Sequence, residues 1–266
     1  VEEMKLPKRM RFRLGGAMYT MDFEDRINLL DVFAAAMPDV HYTIDNRLQS
    51  AQVPDLLSER LDAAILLGIA VPMEPSDHLS RPADAGLIIN ETQYPDSLDR
   101  VIIRRRSIGL LVPAELPLAR HEVIPQAELA GHKIAMLGTE HGEALINPIA
   151  SFLLKAGAVP LSLAEGNALA VQRYAARHRL CALGIGWFPP PSDMVLRPVE
   201  GMNAFLDLSV VLGRSPNKAA RRFLEFARKW QSEREQFSEK LIDVSQTRPQ
   251  RRSRMTSGGR NAISLQ

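Results

Sequence analysis

The chain has 266 residues, of which 45% are hydrophobic and 24% are charged, and its formal net charge at pH 7 is +2. This composition is typical of a globular protein with one or two compact lobes, and it excludes a disordered or fibrous chain. The near balance of charge gives no support for a nucleic-acid-binding surface over the whole chain.

Cysteine content and hydropathy narrow the class further. A single cysteine, Cys181, excludes an internal disulfide, and its apolar neighbours in "RLCALGIGW" predict a buried thiol. No apolar run reaches the roughly 18 residues that a membrane span requires, and "VEEMKLPKRM" lacks the apolar core of a secretory signal. We therefore expect a cytoplasmic protein.

Strands and helices alternate in the first part of the chain. Residues 11–17 read as a strand, 25–37 as an amphipathic helix, "VHYTID" as a strand, 53–60 as a helix and "LDAAILLGI" as a buried strand. This order predicts a parallel sheet with helices on both faces. The turn Gly15–Tyr19 follows the first strand, where its glycines either admit a ligand close to the backbone or simply ease a tight turn.

The middle of the chain connects this lobe to a second one. Residues 71–97 are rich in Pro, Asp and Ser and read as a long surface connection. Extended segments at 98–103 and 108–112 flank the run Arg104–Arg106. Because neighbouring residues of a strand point to opposite faces, we interpret this run as a solvated crossover rather than a phosphate site.

The alternating pattern then restarts and finally returns to the first lobe. We predict a strand in "KIAML", a helix over 143–156, a strand in "AVPLSLAE", a helix over 168–176 and a buried strand in "LCALGIGWF". "NAFLDLSVVLGR" reads as a strand that crosses back, and Ser215 and Pro216 cap a helix reaching residue 237. Two crossings between lobes would form a hinge.

Motifs of the common enzyme classes do not occur. The sequence has no GxxxxGK[ST], no GxGxxG after a strand, no HExxH and no GxSxG, and its six histidines lack the spacing of a metal site. We therefore assign no catalytic residue, metal or cofactor. Asp62, which opens a buried strand, is expected to stabilise the preceding turn, with a catalytic role as the alternative.

The segments "FRLGGAMYTMDFEDRINLLDVFAAAMPDVHYTID", "QVPDLLSERLDAAILLG", "RRRSIGLLVPAELPLA" and "KIAMLGTEH" resemble, in this order, the effector-binding domain of LysR-type transcriptional regulators. The resemblance covers residues 9–235. It implies an α/β fold of two Rossmann-like subdomains joined by two crossover strands, the type 2 periplasmic-binding-protein-like fold. The implied limits are 1–8 for the end of a linker, 9–103 with 208–238 for subdomain 1, 104–207 for subdomain 2, and 239–266 for a basic, disordered tail.

The resemblance also implies the residues of a ligand site. They fall on the turn after the first strand, the start of the next helix and the inner ends of other strands: Gly16, Ala17, Met18, Tyr19, Gln49, Ser50, Gly68, Thr139, Glu140, Gly166, Asn167 and Ala168. Ala17 and Met18 stand where many members carry Ser or Thr, and the charge of Glu140 disfavours an anion. These features favour a largely apolar effector, with an aromatic compound as a candidate.

The expected function is that of a ligand sensor, without chemistry on the ligand. Its partners would be a small-molecule effector and further copies of the chain in a homodimer or homotetramer. DNA would be bound only through a winged helix-turn-helix outside this chain, which contains none. The alternatives are a periplasmic solute-binding protein of the same fold and an enzyme on a doubly wound scaffold.

Overall fold

The computed structural model describes residues 10–70, 88–89, 92–93, 99–139, 143–163, 167–202 and 204–246. Compact unit 1 runs to Gln231 and contains two sheets, while unit 2, from Ser232, contains the end of the last helix. The helices are α1 (Glu24–Ala36), α2 (Gln49–Leu57), α3 (Glu143–Lys155), α4 (Ala168–His178) and α5 (Lys218–Gln246).

Within the described residues, the first sheet has seven strands. They are β1 (Met10–Ala17), β2 (Val40–Arg47), β3 (Ala63–Ala70), β4 (Ile88–Ile89), β5 (Thr92–Gln93), β6 (Arg100–Ser107) and β12 (Phe205–Leu212). Five strands form the main order β2-β1-β3-β12-β6. In addition, β4 pairs with β3, and β5 pairs with β4. Strands β1, β2 and β3 run parallel, whereas β12 is antiparallel to both β3 and β6.

The second sheet has five strands in the order β11-β7-β10-β8-β9. They are β7 (Gly109–Pro113), β8 (Lys133–Leu137), β9 (Val159–Leu163), β10 (Cys181–Gly184) and β11 (Met194–Arg197). Strands β8, β9 and β10 run parallel, and β7 is antiparallel to β10 and β11. The two sheets with their helices confirm the predicted fold class.

Both faces of the first sheet are covered, which explains the apolar strands of the sequence. On one face Phe12 of β1, Phe33 of α1 and Phe223 of α5 form a ring cluster with centroids 4.9–6.4 Å apart. On the other face α2 packs Leu56 against Leu66 of β3. Successive β3 side chains thus enter different cores.

The chain passes between the sheets twice. Strand β6 belongs to the first sheet and β7, which begins two residues later, to the second. The chain returns between β11 and β12, where the Ile108 amide donates to the Ala204 carbonyl oxygen at 3.0 Å. The exact limits assigned to the two subdomains stay a prediction.

Several predicted boundaries need correction. Helix α2 begins at Gln49 rather than residue 53 and contains Pro54, because side-chain hydrogen bonds from Gln49 and Gln52 hold its first turn. Helix α5 begins at Lys218 and extends to Gln246, beyond the predicted end at residue 237. Its first turn is capped by Asn217 and not by Ser215, because Asn217 Oδ1 accepts from the Ala220 amide at 3.0 Å.

Two strands also differ from the prediction. Strand β10 ends at Gly184, since Gly186 has φ +73° and turns the chain before "WF". Strand β6 runs through the arginines instead of stopping before them. The helices predicted at 25–37, 143–156 and 168–176 are confirmed within two residues. Of the connection at 71–97, all but 88–89 and 92–93 lies outside the described residues.

Candidate functional site

A cavity lies between the two sheets, near the carboxyl ends of β3 and β8. The volume open to the centre of a water molecule is about 40 Å³. The side that carries the first sheet contributes Tyr19, Phe23, Leu67 and Leu206, and the side of the second sheet contributes Met136, Leu137, Ile146, Ile149, Ala168, Val171, Leu183 and Ile185. Apart from the Tyr19 hydroxyl, these side chains carry no polar atom other than a thioether sulfur.

The turn that follows β1 is held by a buried arginine. Arg26 of α1 donates to the Ala17 carbonyl oxygen at 3.2 Å, to Thr20 Oγ1 at 2.8 Å and to Asn46 Oδ1. Desolvation lowers the pKa of Arg26. A Cβ on Gly16 would stand 2.7 Å from both Arg26 Nη2 and Asn46 Oδ1, so the close approach that Gly16 permits is used by the protein's own side chains.

Aromatic contacts join the two sides of the cavity. Phe23, immediately before α1, stacks on Trp187 with ring centroids 4.6 Å apart and an interplanar angle of 7°. Phe188 meets Phe23 edge-on at 5.7 Å. The Trp187 Nε1 atom is buried and makes no hydrogen bond within the described part of the chain. These contacts join Phe23, which lines the cavity, to the segment that follows β10 of the second sheet.

Charged pairs surround the crossover strands. Buried Asp25, in the first turn of α1, lies 3.9 Å from both Arg104 Nε and Arg106 Nη2. On the opposite face of β6, Arg105 binds Asp207 of β12 through two hydrogen bonds of 2.7 and 2.8 Å. The predicted alternation of the three arginines is therefore confirmed, and each one pairs with an acidic residue rather than remaining only solvated.

The predicted ligand residues occupy different places around the cavity. Tyr19 and Ala168 line it. Gly16 and Ala17 end β1, where Ala17 is fully buried, and Met18 is 40% exposed. None of the last three is among the lining residues.

Other predicted residues have structural contacts. The Gln49 side chain is 1% exposed; its Nε2 donates to the Leu67 carbonyl oxygen at 2.5 Å, and its Oε1 accepts from the Leu67 amide at 2.7 Å. Asn167 caps α4, because its Oδ1 accepts from the Ala170 amide at 2.8 Å.

The remaining predicted residues are either placed without a contact to the cavity or lie outside the described residues. Gly68 is buried in β3 opposite Asp207, and Thr139 is exposed after β8. The side chain of Ser50 lies outside the described residues, as do Glu140 and Gly166.

The prediction missed most of the apolar lining. Ile146 and Ile149 stand three residues apart on α3, and Met136 and Leu137 end β8. The signal was present, because both predicted lobes end apolar strands at the same crevice. The sequence predicts only Met18, Tyr19 and Ala168 as apolar or aromatic contacts of this kind.

Two isolated polar features lie away from the cavity. Asp62 accepts from the Arg13 amide at 2.7 Å and from the Arg13 guanidinium, which agrees with its predicted role at the turn before β3. Asp55 is buried, and hydrogen bonds from Arg60 and Arg47 outweigh its desolvation. Desolvation alone would raise the pKa of Asp55, but these bonds lower it below its ordinary value.

The predicted burial of Cys181 is confirmed, since this residue is 2% exposed and burial raises the pKa of its thiol to about 11. Within the described ranges, no group of three or more His, Cys, Asp or Glu side chains could hold a metal ion. Over the same residues, no helix combines the length and apolar character needed to cross a membrane.

Comparisons with known proteins add evidence from structure. No protein-family model matches the sequence, and no curated protein matches it. The C-terminal domain of a probable LysR family transcriptional regulator from Rhodococcus sp. RHA1 superimposes with a TM-score of 0.60 at 18% identity, covering 82% of this chain and 98% of that one.

Two ligand complexes are also similar. The BenM effector-binding domain with its effector benzoate has a TM-score of 0.58 at 13% identity, over 91% of this chain and 96% of the other. The Synechocystis PCC6803 CcmR regulatory domain in complex with 2-PG also has a TM-score of 0.58 at 13% identity, and the match covers 82% of this chain and 95% of that one. The chain therefore has the fold of the effector-binding domains of LysR-type regulators.

Proposed function

We propose that this chain is the ligand-sensing domain of a LysR-type transcriptional regulator and binds a small effector in the cavity between its sheets. The observation that carries the proposal is the cavity itself, which takes lining residues from both sheets. A ligand there would contact both lobes at once, and its differential affinity would favour one lobe arrangement.

The crossover strands supply the conformational element. In the described part of the chain, β6 leads to β7 and β11 leads to β12 from one sheet to the other, so bending at these two places can change the angle between lobes. The aromatic contact of Phe23 with Trp187 lies between the lobes and would respond to that angle. The domain performs no chemistry on its ligand in this proposal.

We further propose that the domain assembles with copies of itself in the cytoplasm. Large apolar side chains are exposed on both lobes: Ile27 and Val32 on α1, and Leu154 and Val159 on α3 and β9. An isologous interface would bury such residues. Sedimentation velocity of the wild type and of the double variant Ile27→Glu, Val32→Glu tests this, since a monomeric wild type contradicts it.

The sensing proposal is tested by a ligand screen on the purified chain. A ligand at about a hundred times its Kd stabilises the folded state by roughly 2.7 kcal/mol, which thermal melting detects. A hit whose effect disappears in Ala168→Leu but persists in Ala170→Leu supports the cavity, because Ala170 lies on the same helix without lining it. Consumption of a hit would instead indicate an enzyme.

A second experiment separates the regulator from a periplasmic solute-binding protein. The coding sequence upstream of Val1 would encode a winged helix-turn-helix in the first case and a signal peptide in the second. DNA binding by the product of that longer reading frame, changed by a ligand of this domain, would support the regulator.

A further inference from the structure

We propose that the interlobe cavity selects an uncharged, largely apolar ligand and that it excludes carboxylates. This inference rests on the proposed function and names the ligand class of the same site. Among the described residues, twelve line the cavity, and of these only Tyr19 carries a side-chain oxygen or nitrogen atom.

The Tyr19 hydroxyl does not offer a compensating charge. Tyr19 is 5% exposed, and desolvation raises its pKa far above the ordinary value of a phenol. It therefore stays neutral at every physiological pH. A neutral hydroxyl cannot balance the charge of a buried carboxylate.

Arg26 of α1 and Arg104 of the crossover strand both face protein acceptors. The three side-chain bonds of Arg26 end on Ala17, Thr20 and Asn46, none of which lines the cavity. Arg104 is directed to Asp25. Neither arginine belongs to the lining.

The positive end of helix α1 is also matched by acidic residues. Its first turn carries Glu24 and the buried Asp25. Carboxylates at this position already complement the helix dipole and its free backbone amides. A ligand anion near Phe23 would therefore not meet an uncompensated positive helix terminus.

The balance of solvation then decides the ligand class. A carboxylate that enters this cavity loses its hydration without gaining an ion pair from the described lining residues, whereas an apolar solute gains contact with side chains such as Met136, Ile149 and Leu206. Apolar cavities in proteins stay dry and accept solutes such as benzene. The cavity should therefore discriminate by charge more strongly than by shape.

The test compares toluene with benzoate, which have the same ring and differ in charge. Isothermal titration and thermal melting of the purified chain should show toluene binding at pH 7 at least about tenfold more tightly than benzoate. Lowering the pH from 7 to 6 should strengthen apparent benzoate binding about tenfold, because the neutral acid becomes about tenfold more abundant well above a carboxyl pKa. Toluene binding serves as the control for pH effects on the protein.

Variants locate the binding. Ala168→Leu should weaken toluene binding at least about tenfold, in keeping with the loss of cavity space, while Ala170→Leu should leave it unchanged. Melting of both free variants shows whether they fold. Loss of toluene binding in Ala170→Leu alone would contradict the assignment.

The two proposals fail in different ways. Benzoate binding that equals or exceeds toluene binding at pH 7, and is lost in Ala168→Leu, would overturn the neutral-ligand inference and leave the sensing function standing. If neither probe binds, the neutral-ligand inference is overturned. If, in addition, no ligand from the screen depends on Ala168, the sensing function at this cavity is overturned as well.

Discussion

Replacing Gln49 by methionine tests whether this residue serves the fold or the ligand. The Gln49 amide binds both backbone polar groups of Leu67, and it is 1% exposed. Methionine retains the length of the side chain but makes neither bond. The Leu67 amide and carbonyl would then be buried without partners, because β3 is covered on both faces in this region.

The expected loss follows from these two groups. Each buried group left unpaired costs about 1–3 kcal/mol, so Gln49→Met should lower the free energy of unfolding by about 2–6 kcal/mol. For a protein of this size, 1 kcal/mol corresponds to about 2–4 °C in Tm, so the melting temperature should fall by at least about 4 °C.

The control is Gln126→Met in the second lobe. Gln126 is partly exposed and makes no side-chain hydrogen bond to other described residues. Its replacement should therefore change the free energy of unfolding by no more than about 0.5 kcal/mol. Thermal and urea unfolding measure both variants. A Gln49→Met protein that melts within 2 °C of the wild type yet loses ligand binding would refute this reasoning, and it would return Gln49 to the ligand site implied by the resemblance.

Three further predictions concern charge, reactivity and the contact between lobes. The lowered pKa of Asp55 contributes to the free energy of unfolding above about pH 4, and this contribution is lost as the pH falls through the folded-state pKa. Asp55→Asn should therefore make the free energy of unfolding, measured in urea, depend less steeply on pH in the acid range. Equal slopes for both proteins below pH 4 would contradict this. Cys181, with a pKa of about 11, should resist iodoacetamide in the folded chain at pH 8 and react only after unfolding; mass spectrometry of the native chain would expose a reactive thiol. Trp187→Ala should lower the free energy of unfolding in urea by at least about 1 kcal/mol, whereas Trp187→Phe should retain most of the stacking on Phe23. Equal losses in the two variants would show that the ring contact does not contribute to stability.

The elements of the fold could be predicted because each one carries its own pattern. The 3.6-residue spacing of Leu29 and Phe33 identifies α1, and the continuous apolar run of β3 identifies a strand covered on both faces. The start of α2 could not be predicted in this way. Its first turn depends on Gln49 and Gln52, whose partners lie 7 to 36 residues away along the chain.

The candidate site was harder to predict for a related reason. The resemblance directs attention to polar residues at strand ends, and Asn167 and Gln49 turn out to bond with the backbone of their own chain. Which polar group is already paired is a property of tertiary contacts that local sequence does not contain. The strand ends indicate where apolar lining residues can lie, but the sequence does not distinguish them from core residues, and Ile149 of α3 reads as an ordinary core residue.

The hydrogen bond between Ile108 and Ala204 constrains how the two halves of this protein can move. This hydrogen bond joins the two segments that connect the sheets, and it lies next to the paired residues Phe205 and Ser107 of β12 and β6. Sliding of one half past the other would break this link, whereas tilting about it would not. If a ligand changes the arrangement of the two halves, the change would therefore be in the angle between them. Distances between residues far from this hydrogen bond would change most.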